Sequence, residues 1–187
     1  IAKQMGLPVR RLILATNENN VLDRFFKEGI YEVRDTKEVI QTSSPSMDIS
    51  KASNLERFLF EIAGRDSELI RDWMALVKKK KPVDLRDTLY LRRVKSSGIV
   101  SGSSTHQYRL DIIKEVNDRT GVVIDTHTAD GVKVALDYNE NNGVPIVCLA
   151  TAKPIKFEEV IKEALGYVPE RAEEFVGIES LPQHYDV

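Results

Sequence analysis

A chain of 187 residues, 42% hydrophobic and 30% charged, is long enough for one domain with a substantial core and has an ordinary globular balance. Its 27 basic and 29 acidic residues nearly cancel, which argues against a nucleic-acid partner or an acidic membrane surface. No apolar run approaches the ~18 residues of a membrane span, no signal-peptide pattern opens the sequence, and a single cysteine excludes an internal disulfide framework, so a reducing, cytoplasmic setting is expected.

Ile1 to Met5 read as the last turns of a helix closed by Gly6, with Pro8 beyond it. A helix end so close to the start of the sequence implies further chain upstream. Leu12-Ile13-Leu14-Ala15 is a short apolar run without alternation, as in a parallel strand covered on both faces. Leu55, Phe58, Leu59 and Ile62 form a helical stripe, with Ser53 and Glu56 spaced as a capping box. A second stripe (Leu69, Ile70, Trp73, Leu76, Val77) follows Asp66 as its N-cap, and the lysine run Lys78 to Lys81 suits the negative end of that helix. Residues 82–105 give no clear pattern.

Ile112, Ile113 and Val116 mark a helix ended by Gly121, and Val132, Ala135 and Leu136 mark another. Val122-Val123-Ile124 between them reads as a strand, as does Ile146-Val147-Cys148-Leu149-Ala150, where Cys148 acts as a small buried hydrophobe. Phe157, Val160, Ile161 and Ala164 form the last stripe, with Pro154 in its first turn. The tail beyond Gly166 carries Phe175, Val176, Ile178 and Leu181 and is expected to pack on the body. Strands alternating with amphipathic helices indicate an α/β fold, an open and mostly parallel sheet flanked by helices. The Leu12 and Ile146 runs are expected in one parallel sheet, with Asn17 and Thr151 on the same edge, where ligands of such sheets bind.

Generic site patterns are missing: there is no glycine-rich nucleotide loop and no nucleophile elbow. His106, His127 and His184 lack metal-ligand spacing, so no metal is expected. Two polar clusters follow the apolar runs, Thr16-Asn17-Glu18-Asn19-Asn20 and Thr151-Ala152-Lys153-Pro154. Each could face a ligand or cap a helix.

Five segments in order resemble the C-terminal half of threonine synthase, a pyridoxal-phosphate enzyme of fold type II. They are Leu12-Ile13-Leu14-Ala15-Thr16-Asn17-Glu18-Asn19, Ser44-Pro45-Ser46-Met47-Asp48-Ile49, Ser53-Asn54-Leu55-Glu56-Arg57, Asp125-Thr126-His127-Thr128-Ala129 and Thr151-Ala152-Lys153-Pro154-Ile155-Lys156-Phe157. The chain departs from the family pattern at Thr126, usually proline, and at Lys153, usually histidine.

The resemblance implies that residues 1–187 are the C-terminal part of a pyridoxal-phosphate-binding domain. The expected substrate is a small phosphorylated amino acid, and the expected partner is the N-terminal part of the same enzyme. It implies conversion of O-phosphohomoserine and water to threonine and phosphate. The cofactor serves as electron sink for carbanions while the γ-phosphate leaves and water adds at Cβ. The cofactor-bound lysine and the phosphate loop are implied to lie upstream of Ile1, so the segment alone is expected to be inactive. Thr151 is implied to partner the pyridine nitrogen, and as a neutral hydroxyl to give milder electron withdrawal than a carboxylate would. Its alternative is a cap for the helix near Pro154. Ser44, Ser46 and Asp48 lie on a loop whose hydroxyls and amides could face substrate or cofactor, or could form a structural turn. His127 and Thr128 either support the site or start a helix, and Asn17 and Asn19 read as caps. A related phospholyase, or a non-catalytic α/β binding module, are the other readings.

Overall fold

The computed structural model describes residues 2–139 and 143–182. Among these, four strands form: β1 (Leu12–Thr16), β2 (Ile30–Tyr31), β3 (Val83–Asp84) and β4 (Ile99–Ser103). β1 and β4 run parallel, from Leu12 opposite Ile99 to Thr16 opposite Ser103, while β2 and β3 make a short antiparallel pair. A parallel pair needs a crossover, here built from α1 (Val21–Glu28), α2 (Leu55–Ile62), α3 (Ser67–Lys78) and α4 (Leu89–Ser96). After β4 come α5 (His106–Thr120), α6 (Thr126–Asp137) and α7 (Glu158–Leu165). The arrangement is α/β with a parallel strand pair, as the alternation of patterns predicts.

Helical spacing decides what each helix buries. Val21, Phe25 and Phe26 of α1 meet Leu55, Leu59 and Ile62 of α2 and Ile70, Trp73 and Val77 of α3 in the larger core. Phe25 stands edge-on to Phe26, Tyr31 and Phe58, a geometry that aromatic quadrupoles favour. A smaller core joins Ile112 and Ile113 of α5, Ala129 of α6 and Ile161 of α7. α1 packs on β4 and α6 on β1, so the strand pair lies between the two cores.

Several expected caps are present. Asp66 accepts from the amides of Glu68 and Leu69, and Gly121 and Gly166 adopt the left-handed conformation that ends α5 and α7. Lys78 ends α3 and the lysine run stands exposed. Residues 2–6 form one turn closed by bonds from Gly6 to Lys3 and from Leu7 to Ala2, as a helix end would be; Ile1 lies outside the described residues.

Other expectations fail. No capping box forms at Ser53, because Asn54 takes the cap position with helical angles and its side chain accepts from Arg57 instead of a helix amide. Val122-Val123-Ile124 is a linker, not a strand, since Gly121 ends α5 and Asp125 caps α6 only four residues later. Ile146–Ala150 is no strand either: it is exposed and unpaired, and the expected shared sheet does not form, since β1 pairs only with β4 among the described residues. Cys148 is exposed for the same reason. In the tail, Val176, Ile178 and Leu181 are exposed, whereas Pro169 is buried and Ala172 and Phe175 are partly covered, near Val123 and Ile155.

Gly102 of β4 sets the distance to α6. A Cβ there would stand 2.8 Å from Cγ1 of buried Val134 and 3.2 Å from Cγ2. Valine in a helix has one favoured rotamer and cannot swing aside. Gly102→Ala is therefore expected to destabilise the chain by about 1–3 kcal/mol. An unchanged thermal midpoint would show that the sheet and α6 separate freely.

Candidate functional site

Asp125 caps α6 and is the hub of the site. Its carboxylate accepts from the amides of His127 (2.9 Å) and Thr128 (3.4 Å), from His127 Nδ1 (3.1 Å) and from the Thr128 hydroxyl. Burial alone would raise its pKa, but the bonds from His127 and Thr128 outweigh that and hold it at about 2. Thr151 completes the group: its hydroxyl lies 3.3 Å from Oδ1 and 3.5 Å from Oδ2, and its amide donates to Thr128 Oγ1 at 3.2 Å.

His127 extends the hub to loop 42–48, beyond β2. The Ser46 amide donates to His127 Nε2 at 3.0 Å, so the ring proton sits on Nδ1 and points at Asp125. The ring also stands edge-on to Phe157, with centroids 4.8 Å apart. Loop 42–48 is tied in turn to the polar cluster after β1. Asn17 Nδ2 reaches Asp48 Oδ1 (2.8 Å) and Thr42 Oγ1 (2.9 Å), and Asn19 Nδ2 reaches Ile40 O and Asp48 Oδ1. Asp48 also accepts the Thr42 amide and hydroxyl.

Beneath that loop lies a buried ionic group. Arg109 of α5, fully buried, donates to Asp130 (3.0 Å), to both oxygens of Glu18 (2.8 and 2.9 Å) and to Ser43 Oγ (2.8 Å). Ser44 Oγ donates to Asp130 Oδ2 at 2.8 Å. Burial still pushes the Asp130 carboxyl above its ordinary value, against the pull of Arg109 and Ser44.

A cavity of about 1080 Å³ opens beside these groups, lined by Leu12, Ile13, Ser46, Met47, His127 and Thr151 among others. That is at the upper end of the ~300–1,000 Å³ usual for small-molecule sites. Among the described lining residues there is no lysine.

The sequence-predicted residues are thus brought together, with different duties. Thr151 faces the cavity and does not cap the turn at Pro154–Phe157, whose cap position is Lys153. Ser44 and Asp48 are spent on structural bonds, whereas Ser46 is exposed at the cavity wall. Asn17 and Asn19 are buried loop clamps; Asn20 holds the cap position of α1. His127 and Thr128 both start α6 and join the site. His184 lies outside the described residues. Sequence reasoning missed Asp125 as the hub, although an aspartate just ahead of a helix is a capping signal. It also missed the Arg109 group, whose members are 91 and 21 residues apart and leave no local trace.

Comparison with known proteins matches residues 128–187 to the family model described as threonine synthase, C-terminal. The whole chain is 52% identical to a threonine synthase of Methylobacillus glycogenes, covering 39% of it, and 97% of the chain is 46% identical to one of Corynebacterium glutamicum, covering 38%. The chain spans about two fifths of the length of these relatives. A crystal structure of a PLP-bound threonine synthase from Brucella melitensis superposes with a TM-score of 0.88 at 38% identity, over 98% of this chain and 38% of that one.

Proposed function

We propose that this chain, which corresponds in sequence and fold to the C-terminal part of threonine synthases, forms one wall of a pyridoxal-phosphate site that converts O-phosphohomoserine and water to threonine and phosphate. The observation that carries the reading is Thr151, a hydroxyl on the wall of a 1080 Å³ cavity with a buried carboxylate behind it. The residues present fit the cofactor's ring: Thr151 would hold the pyridine nitrogen, and His127 and Ser46, which line the same cavity, would shape the wall beside it.

Pyridoxal phosphate, when bound, supplies the electron sink for carbanions at Cα and Cβ of the substrate. This chain's residues position and exclude. Asp125 orients Thr151 and His127, and His127 holds the Ser46 amide, so the loop edge keeps a fixed place on the cavity wall. The apolar residues Leu7, Val144, Val147 and Leu149, which also line the cavity, stand exposed, and in the longer enzyme the remaining chain covers them and excludes water. That remaining chain, of fold type II in this reading, brings the lysine and the cofactor's phosphate loop.

The test compares two proteins. The longer enzyme is expected to show the visible absorbance of bound pyridoxal phosphate and to release phosphate from O-phosphohomoserine. The 187-residue chain alone is expected to do neither. Turnover by the mass-verified chain would refute the division of labour, and a longer protein that binds the cofactor but spares O-phosphohomoserine would refute the substrate. That second result would favour a related phospholyase.

A further inference from the structure

Resting on the cofactor reading above, we propose that His106 is a positioning residue whose two ring nitrogens do different work. Nδ1 holds loop 42–48, and with it the Ser46 edge of the cavity wall, while Nε2 fixes the ring on α7.

His106 lacks metal-ligand spacing in the sequence, and the fold gives it other partners. It opens α5, where its amide donates to Glu18 Oε1 at 2.8 Å. Its ring reaches two further elements: Nε2 lies 3.1 Å from Glu163 Oε1 of α7, and Nδ1 lies 2.8 Å from Ser43 Oγ of the loop. A carboxylate can only accept, so Nε2 carries the ring proton and the neutral ring presents a bare Nδ1. Ser43 meets that nitrogen with the complementary sense. Arg109 Nε donates to Ser43 Oγ at 2.8 Å, and a guanidinium has no lone pair to offer in return. Among the described bonds, the Ser43 hydrogen has His106 Nδ1 as its acceptor. The donations thus run one way, from Arg109 through Ser43 and His106 to Glu163.

This chain of bonds bears on the cavity through the residues that follow Ser43. Ser44 bonds Asp130 below the loop, and the Ser46 amide bonds His127 Nε2 at the wall. Asn17 holds the two ends of the loop, at Thr42 and Asp48, and the His106 bond acts between them. The His106 side chain is 43% exposed, so replacing it leaves both hydrophobic cores intact.

Two substitutions separate the ring nitrogens. The amide group of asparagine stands in the place of Nδ1, and that of glutamine reaches the place of Nε2. His106→Asn therefore keeps a partner for Ser43, and His106→Gln keeps one for Glu163 and loses Ser43. Both variants are made in the longer enzyme and read in two ways: hydrogen exchange of the amides of loop 42–48, which needs no cofactor, and steady-state kinetics with O-phosphohomoserine. Loss of one such bond corresponds to roughly threefold to tenfold. The glutamine variant is expected to exchange its loop amides faster, and to show a raised KM, by about that factor, with kcat little changed. The asparagine variant is expected to stay close to wild type in both. A histidine with a purely structural role would give the two variants one phenotype, so equal behaviour, both altered or both unaltered, overturns the proposal. Faster exchange in the asparagine variant alone overturns it as well, and so does faster exchange in the glutamine variant with an unchanged KM. A longer enzyme inert toward O-phosphohomoserine refutes the function above instead, and the exchange pattern still decides whether His106 holds the loop.

Discussion

Arg109→Ala is expected to lower stability by about 3–5 kcal/mol at neutral pH, because it strands a carboxylate in the interior. For a chain of this size that is a fall of roughly 10 °C or more in the melting temperature. Asp130 is fully buried, and Arg109 is its one cationic partner among the described bonds; Glu18 is partly exposed and can turn to water. The pH dependence follows from the Asp130 carboxyl, which burial already raises in the folded chain. A group raised on folding contributes its stability below the unfolded value, ~3.9 for aspartate, and loses it as pH rises through the folded value. Removing Arg109 raises the folded value further. The deficit of the variant is thus expected to be small near the unfolded value and to grow toward neutral pH. Melting curves of both proteins at acid and neutral pH check this, and an equal deficit at both would show that the stranded Asp130 charge is not its cause.

Thr151→Val in the longer enzyme is expected to reduce cofactor affinity or turnover tenfold to a hundredfold. The substitution keeps the shape of the side chain and removes its oxygen, so under the proposed cofactor contact the ring nitrogen would lose its partner at a cost of about 1–3 kcal/mol. Asp125 keeps its donors from His127 and Thr128, so the fold should lose little. Thr151→Ser retains the hydroxyl and is expected to retain most activity. Thermal melts and steady-state kinetics on the same samples decide the matter. A valine variant that melts early but turns over at the wild-type rate would make Thr151 a structural residue.

Local chemistry made much of this protein readable from its sequence. The run Leu12 to Ala15 is too short and apolar for anything but a strand, Asp66 caps its helix by a bond three residues long, and glycine at 121 and 166 ends helices by its freedom at positive φ.

The tertiary structure alone decided the rest. β4 reads Ile-Val-Ser-Gly-Ser and carries little strand signal, because Gly102 must admit Val134 and Ser101 must bond the Asp23 carbonyl. Ile146–Ala150 carries a strong strand signal and forms none, since a strand needs a bonded neighbour and none of the described strands pairs with it. Burial of Arg109 and the contact of Thr151 with Asp125 depend on groups 21 to 91 residues apart. Such charges and hydroxyls have no periodicity to betray them, and only the packing of α5, α6 and the loops brings each donor to its acceptor.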